Sequence, residues 1–311
     1  MKLSDTRFLL ALTTAAAPVV GHLYGLYWYT FAVFFVAIPL LDLLLGRSLA
    51  PSDASELERL SESAFFRFVL YAWVPLQLAL IAWGARIISQ GELGIGNAML
   101  FTLSIGLATG SAGITIAHEL GHKRPALDRL LSRVLLVTVS YPHFTVEHNR
   151  GHHVRVATPE DPASARYGEG FWRFLPRTLI GSFVDSLKMA PKEVLLSWVA
   201  TFAVAAALGL AFGPLAVAFF FGQSAMAVTL LEAVNYIEHY GLERKKLPDG
   251  RHERQGARHA WDAYERLSNC FLVHLQRHAD HHLNPTRPYA ALQPQPRETK
   301  LKYPSVAPLP T

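Results

Sequence analysis

The chain has 311 residues, of which 51% are hydrophobic and only 17% charged, and its mean hydropathy is positive. Long stretches contain almost no charge, which nearly excludes a purely water-soluble protein and indicates a chain whose solvent is partly lipid. The net charge of +5 comes without a basic stripe interleaved with exposed aromatic residues, so nucleic acid is not an expected partner. The single cysteine excludes an intramolecular disulfide and a four-cysteine metal site within this chain.

Six apolar runs come close to the roughly 20 residues that a membrane-spanning helix needs. They cover about 8–24, 26–45, 68–88, 94–117, 194–212 and 214–233. The first run resembles a signal peptide, but only Gly25 separates it from the second, which favours a retained helical hairpin. A seventh run, 130–144, contains Arg133 and is too short to span, so it predicts a helix that lies in the interface or is buried in protein. The predicted fold class is all-α, a polytopic membrane protein with six transmembrane helices.

Six crossings place both termini and segments 46–67, 118–193 and 234–311 on one side of the membrane. Of the 29 Lys and Arg residues, all but Arg86 fall on that side, and the positive-inside bias makes it cytoplasmic. We therefore expect a multi-pass membrane protein with both termini on the cytoplasmic side, where any catalytic apparatus would also lie.

Three smaller features complete the layout of what we take as a single catalytic domain, 1–311. The polar segment 47–67 predicts a surface helix, and the proline-rich residues 284–311 predict an extended C-terminal tail. Asp42 and Glu232 lie inside predicted spans, where a carboxylate must face a partner or a polar cavity rather than lipid.

The 14 histidines are clustered rather than scattered, and four boxes stand out on the predicted cytoplasmic side. The boxes are HELGHK at 118–123, EHNRGHH at 147–153, NYIEHYG at 235–241 and LQRHADHH at 275–282. On a helix, residues i and i+4 share one face and can bind the same metal ion. Three pairs have this spacing: His118 with His122, His148 with His152, and His278 with His282. The neighbouring His153 and His281 would point sideways, toward a second ion, so a cap that holds two metals is predicted.

Imidazole suits iron, zinc, copper and nickel, so the ligand type alone does not name the metal. Four carboxylates adjoin the boxes and are candidates to accept the second ring N–H of a ligand, namely Glu119, Glu147, Glu238 and Asp280. Each can equally be a solvated surface group. The remaining histidines are interpreted as structural, with His274 as the strongest further candidate; they are His22, His143, His252, His259 and His274.

The first box also matches H-E-x-x-H, the signature of zinc metalloproteases, in which the glutamate is the general base. An intramembrane metalloprotease therefore stays open as a distant alternative. It needs one further ligand and would leave most of the clustered histidines unused.

The four boxes together resemble those of the integral-membrane alkane 1-monooxygenases, within the superfamily of histidine-rich membrane fatty acid desaturases and hydroxylases. The box from Asn235 to Leu242 points to the alkane hydroxylases in particular, and the similarity extends from the second predicted span to about Pro288. Two departures are Ala279, where a serine is usual, and Leu283, where a small residue is usual. Neither lies at a ligand position.

The resemblance implies a non-haem di-iron enzyme (Fe2+/Fe3+) that hydroxylates the terminal carbon of medium-chain n-alkanes to 1-alkanols with O2. Electrons would come from NAD(P)H through a reductase and rubredoxin, and rubredoxin would be a separate protein or a missing C-terminal domain, since Cys270 is the only cysteine. The implied iron ligands are His118, His122, His148, His152, His153, His239, His278, His281 and His282. The alternative is a related membrane di-iron desaturase or aryl-methyl hydroxylase. Such an enzyme would use the three shared boxes and would not explain the box around His239.

The substrate's physical chemistry suggests two further features. An n-alkane gains about 0.8 kcal/mol per CH2 by leaving water, so we expect an apolar channel from the bilayer to the histidines. Candidate channel walls are Trp28, Phe34, Phe101 and Phe144. The cytoplasmic face also carries an excess of basic residues, on which an acidic rubredoxin could dock. Membrane topology and contact with anionic lipid explain this excess of positive charge equally well. The basic residues are Arg244, Lys245, Lys246, Arg251, Arg254 and Arg258.

Overall fold

The computed structural model describes residues 2–295, which are helical and irregular, with no strand among them and only two isolated bridges. The predicted all-α class is confirmed for this range. In chain order the helices are α1 (Leu3–Thr13), α2 (Ala16–Leu23), α3 (Tyr29–Leu45), α4 (Ala54–Glu62), α5 (Ala64–Ser89), α6 (Ile95–Gly121), α7 (Ala126–Val137), α8 (144–155), α9 (Phe171–Met189), α10 (Pro191–Phe212), α11 (Pro214–His239), α12 (Arg266–Phe271) and α13 (His278–Leu283).

Four helices are long and apolar enough to cross a membrane, namely α5, α6, α10 and α11. Helices α1 and α2 reach that length only as a pair, and a bend of 53° separates them. The run 26–45 forms α3, which is apolar but shorter than a full span. The structure thus supports four or five spans by length and composition, where the sequence predicted six.

Close packing at glycines holds α6 in the middle of the protein. A Cβ on Gly110 would lie 2.8 Å from the Cα of Ala227 in α11, and one on Gly106 would lie 2.5 Å from the Gln223 carbonyl oxygen. Small residues allow such approach between membrane helices, where lipid is as apolar as the side chains and close contact drives association. Because α6 ends at the first histidine box, this packing fixes the position of that box.

The two carboxylates within predicted spans are buried and paired, as expected. Asp42 in α3 accepts hydrogen bonds from the backbone N–H groups of Leu267 and Ser268 at the start of α12, at 2.6 and 3.1 Å. Glu232 in α11 is 1% exposed and accepts from the hydroxyls of Tyr141 and Thr178 at 2.8 and 3.0 Å. These bonds tie the spans to the polar elements that surround the histidines.

The short elements agree in part with the sequence. Helix α7 ends at Val137, and the chain then turns through Ser140, whose φ is +52°, so the run 130–144 does not form a continuous spanning helix. Helix α4 lies in the predicted surface segment and is capped by Asp53. The described part of the predicted extended tail, residues 284–295, instead packs into the protein through the buried turn Tyr289–Ala291. Residues 296–311 of that tail lie outside the described residues.

Substitution of Gly110 tests the glycine contact. We expect Gly110→Ala to lower stability by about 1–3 kcal/mol, the usual cost of overpacking, because its methyl group would meet backbone atoms. Thermal unfolding of the protein in nanodiscs would measure the change. Gly96→Ala is the matched control, since a Cβ there has open space in the same helix. Equal midpoints for the two variants would contradict the packing argument.

Candidate metal centre

All nine histidines implied as ligands converge in the structure, and they form two groups. In each group one ligand atom per residue lies within 4.8 Å of the others. The first histidine group consists of His118, His122, His148, His153 and His281, and the second histidine group consists of His152, His239, His278 and His282. Helices α6, α8 and α13 supply the first group, and α8, α11 and α13 the second. The structure therefore brings the four boxes together in two adjacent candidate metal sites.

One predicted pairing is wrong. His148 and His152 do not share a group, because residues His148–His152 form a π-helical turn within α8. A π turn closes through i and i+5, which aligns His148 with His153 instead. Their Nε2 atoms lie 3.0 Å apart, and His152 turns toward the second group. The pairs of His118 with His122 and of His278 with His282 do stay together, as the i, i+4 rule predicts.

The Nε2 atoms of each group face one another. In the first group the Nε2 atoms of His118 and His148 are 2.8 Å apart, and those of His153 and His281 are 3.2 Å apart. In the second group the Nε2 of His282 lies 2.9 Å from that of His278 and 3.3 Å from that of His152. Several imidazole nitrogens that point at one spot form a donor set for a cation, and this set fits the metals that prefer imidazole.

The opposite ring nitrogen of two second-group histidines has a partner that fixes the tautomer. His152 Nδ1 lies 2.8 Å from Asp161 Oδ2, and His239 Nδ1 lies 3.4 Å from the carbonyl oxygen of His259. An N–H at Nδ1 leaves the lone pair of Nε2 directed into the group. Asp161 is therefore the carboxylate that orients a ligand. No sequence pattern pointed to Asp161, since it lies nine positions after His152 in an irregular segment.

Burial and charge set the protonation of the cluster. Burial, together with the mutual repulsion of the rings, lowers the pKa of several histidines far below the ordinary value; they are His122, His148, His278, His281 and His282. Burial also lowers the pKa of His152, but the carboxylate of Asp161 outweighs it and the pKa ends above its ordinary value. Conversely, burial raises the pKa of Asp161, and His152 and Ser164 more than offset this. The five histidines with lowered pKa are therefore neutral near pH 7, and the neutral ring is the form that binds a metal.

The four carboxylates expected to orient ligands mostly have other partners. Glu119 accepts from Lys123 and from the Tyr289 backbone, and Glu147 accepts from Arg155. Asp280 binds Arg287 and the irregular chain that follows it. Only Glu238 approaches a ligand, with Oε2 3.4 Å from His278 Nδ1, and that nitrogen has no aligned hydrogen bond. For Glu119, Glu147 and Asp280 the expectation is wrong, because proximity along the chain does not set the direction of a side chain on a helix.

The histidines interpreted as structural lie outside both groups. His274, the strongest further candidate, faces away, and its Nδ1 lies 3.0 Å from the carbonyl oxygen of Tyr289. His259 is buried, and its Nδ1 accepts a hydrogen bond from Gly256. His22 packs among Tyr27, Trp83 and Phe101. His252 lies in an isolated bridge with Lys246, and His143 belongs to a separate cavity described below.

The predicted apolar channel does not correspond to either of two large apolar cavities in the described part of the chain. Their volumes are about 740 and 680 Å³, and neither is lined by one of the nine histidines or by a predicted wall residue. Phe144 instead stacks on His148 with ring centroids 4.8 Å apart, and Tyr141 stacks on Phe144 at 5.9 Å. Because Tyr141 also lines the larger cavity, this aromatic layer of Tyr141 and Phe144 connects the cavity wall to His148 of the first histidine group.

Comparison with known proteins adds an independent observation. A family model described as fatty acid desaturase matches residues 96–306. The chain is 40% identical to alkane 1-monooxygenase 2 of Pseudomonas aeruginosa over 288 residues, which covers 86% of this chain and 75% of that protein. It is 36% identical to alkane 1-monooxygenase 1 of Alcanivorax borkumensis, with 92% and 76% covered. Identity to the xylene/toluene monooxygenase hydroxylase component XylM of Pseudomonas putida is 23%, with 93% and 80% covered.

Replacement of Asp161 tests the orienting role. We expect Asp161→Asn to lower metal affinity at the second histidine group about 10- to 100-fold, the usual effect of losing a carboxylate behind a histidine ligand. Chelator competition, read as metal per chain, would show one of the two sites emptying first. Glu160→Gln is the matched control, because that neighbouring carboxylate is exposed and lies outside both groups. Equal retention by the two variants would rule out the orienting role.

Proposed function

Because the chain belongs to the alkane 1-monooxygenases of the fatty acid desaturase family, we propose that it hydroxylates the terminal carbon of medium-chain n-alkanes. One oxygen atom of O2 is inserted into the terminal C–H bond to give a 1-alkanol, and the other is reduced to water by two electrons from a donor protein and two protons from solvent. The observation that carries the proposal is the convergence of nine histidines in two adjacent groups, beside helices apolar enough to reach a lipid-dissolved substrate.

We assign one iron to each histidine group, with all nine histidines as ligands. Zinc would fit the imidazole donors as well, but it has no redox chemistry, and oxidation of an unactivated C–H bond needs a redox metal. When bound, the two irons would supply the electrons that activate O2. The protein itself orients the ligand His152 through Asp161 and encloses the donor atoms among buried side chains.

The aromatic layer of Tyr141 and Phe144 shields one side of the first histidine group from water. Phe144 is buried and covers one face of His148. Tyr141 lies behind it and donates its hydroxyl hydrogen to Glu232. An apolar ring over the first histidine group excludes water on that side, which suits a substrate without any polar group.

Two alternatives are less well supported. An aryl-methyl hydroxylase would match XylM, but that identity is lower than the identity to the alkane enzymes. A zinc protease needs Glu119 as a base beside the metal, whereas this carboxylate lies 2.8 Å from Lys123 Nζ and accepts from the Tyr289 backbone at 2.9 Å. Three further histidines also complete the first group where a protease would use a single additional ligand.

For the membrane topology we propose six crossings of the bacterial inner membrane, with both termini and the histidine cap in the cytoplasm. Helix α3 would be the sixth crossing, although it is short, since it exposes large apolar side chains such as Leu43, Leu44 and Phe35. The Lys and Arg distribution supports the orientation. Exposed apolar side chains on α10, among them Leu196 and Leu210, fit contact with lipid.

Rubredoxin, reduced by an NAD(P)H-dependent reductase, is the electron donor that we propose. Three of the six basic residues considered for its docking already have partners: Arg251 pairs with Asp249, Arg258 with Glu253, and Arg244 donates to the carbonyl oxygen of Val154. Lys245, Lys246 and Arg254 have no ion pair with another residue of the described chain, and so remain for a partner.

If rubredoxin docks on the segment that contains Lys245, Lys246 and Arg254, the rate of electron transfer should depend on ionic strength. Reversal to glutamate at Lys245, Lys246 and Arg254 together should slow electron transfer from rubredoxin and flatten its dependence on ionic strength, because the attractive charges are lost. Stopped-flow kinetics with a single turnover would measure this. Lys188→Glu, at an exposed position on α9, is the control. An unchanged salt dependence in the triple variant would place the docking surface elsewhere.

Reconstitution tests the function directly. The iron-loaded protein in nanodiscs, with rubredoxin, reductase and NAD(P)H, should convert an n-alkane series to 1-alkanols, as measured by gas chromatography. His148→Ala and His152→Ala should each lose activity and about one iron, since each removes a ligand from a different group. His252→Ala should retain both, because His252 lies outside the groups. Absence of any terminal alcohol with two irons verified per chain would refute the function, and tight binding of zinc alone would revive the protease.

A further inference from the structure

The larger apolar cavity contains polar groups that have no partner. It holds about 740 Å³ between the turn after α7 and helices α9, α10 and α11. In its wall, His143 is 3% exposed, and neither of its ring nitrogens has a hydrogen-bond partner within the described residues. The Oγ of Ser140 and the Nε1 of Trp198, also in the wall, are buried and unpaired as well. We call this space the His143 cavity.

Unpaired buried polar groups are unusual and costly, so their presence in one wall needs an explanation. The ring of His143 is held between aromatic neighbours, parallel to Trp198 at 6.0 Å and edge-on to Phe183 at 5.4 Å. Burial lowers the pKa of His143 to about 4, so the ring is neutral near pH 7, with one N–H donor and one acceptor nitrogen. Such a ring can both donate to and accept from a single hydroxyl group.

A second cavity on the other side of α10 shows that apolar space alone does not produce this pattern. It holds about 680 Å³ and is lined by leucines and valines such as Leu78, Leu196 and Val204. Its polar side chains are paired: Arg133 binds Glu193, and the hydroxyl of Ser197 donates to a backbone carbonyl. A purely apolar chain, such as a lipid tail, can therefore fill the second cavity without leaving a polar group unpaired. The polar groups of the His143 cavity can be paired only by a ligand that has a polar end.

The His143 cavity also lies next to the metal centre. Tyr141 forms part of its wall and stacks on Phe144, which in turn stacks on His148. The n-alkane carries no group that could pair with His143, Ser140 or Trp198. The alcohol formed at the metals is the first molecule of the reaction that carries one.

We propose that the His143 cavity binds the 1-alkanol product on its way to the bilayer, with the chain among the apolar side chains and the hydroxyl bonded to His143. This inference rests on the proposed function for the identity of the alcohol. The cavity volume lies in the usual range for small-molecule sites, about 300–1,000 Å³. Long-chain alcohols from other sources would bind by the same chemistry.

Photocrosslinking tests the site without turnover. Metal-loaded protein in phospholipid nanodiscs, without electron donor, is labelled with a 1-alkanol that carries a diazirine on its chain, and the labelled peptides are mapped by mass spectrometry. We expect label on the cavity wall, chiefly residues 139–143 and helices α9 and α10. Unlabelled 1-decanol should compete at least about tenfold better than n-decane, while the phospholipid of the disc serves as a constant competitor.

Matched variants locate the binding determinants. His143→Phe keeps the aromatic packing but removes both nitrogens, and it should reduce labelling several-fold. Ala225→Phe fills the His143 cavity with its polar groups intact and should do the same, whereas Ala200→Phe fills the second cavity and should leave labelling unchanged. The Ala225 variant keeps the test decisive if His143→Phe does not fold.

Two results would overturn the inference: equal competition by n-decane and 1-decanol, which marks a hydrocarbon groove, or labelling that neither variant reduces. Since no electrons are supplied, these results do not depend on catalysis. Failure of alkane oxidation would appear only in the reconstitution assay, so the two failures remain distinguishable.

Discussion

The mutual crowding of nine imidazole rings is the constraint on which the rest of this structure depends. In each group one nitrogen per ring lies within 4.8 Å of the others, and seven of the nine histidines are buried. Without a cation, lone pairs would face lone pairs in a medium that screens them poorly. The fold therefore has to hold the rings from several directions, which it does with four segments of chain, each tied to a neighbour by packing or by a buried polar bond.

Much of this arrangement could be predicted from the sequence, because local patterns carry it. Hydropathy located α5, α6, α10 and α11, and all but one of their predicted ends lie within four residues of the observed ends. The spacing of the histidines predicted two sets of candidate ligands, and the structure contains two groups. Residues four apart meet wherever the helix is regular, as His118 and His122 do. The structure leaves two of the six predicted spans unconfirmed, at the bend between α1 and α2 and at the short α3. The predicted pairing of His148 with His152 is wrong, because the π turn of α8 departs from the regular helix.

Other features could not be predicted because they depend on contacts between distant segments. Asp161 reaches His152 from an irregular stretch between prolines, and no periodicity marks it. Three carboxylates next to the histidine boxes form ion pairs that hold the fold together instead. The pairs are Glu119 with Lys123, Glu147 with Arg155, and Asp280 with Arg287. The unpaired ring of His143 is likewise invisible in the sequence, where it is one more histidine near a box.

The π turn at His148–His152 has a consequence for how this site can change over time. A π turn holds one residue more than an α turn, so it is equivalent to a single-residue insertion in an otherwise ordinary helix. Deletion of one residue between His148 and His152 would therefore return the turn to α geometry with its flanks in place, because His148 and His153 would then stand four residues apart on one face. Without such a deletion, a regular α-helix of the same length would turn His153 by about 100° away from His148. The π turn and the length of α8 are thus coupled, and one can change only together with the other if both histidine groups are to stay complete.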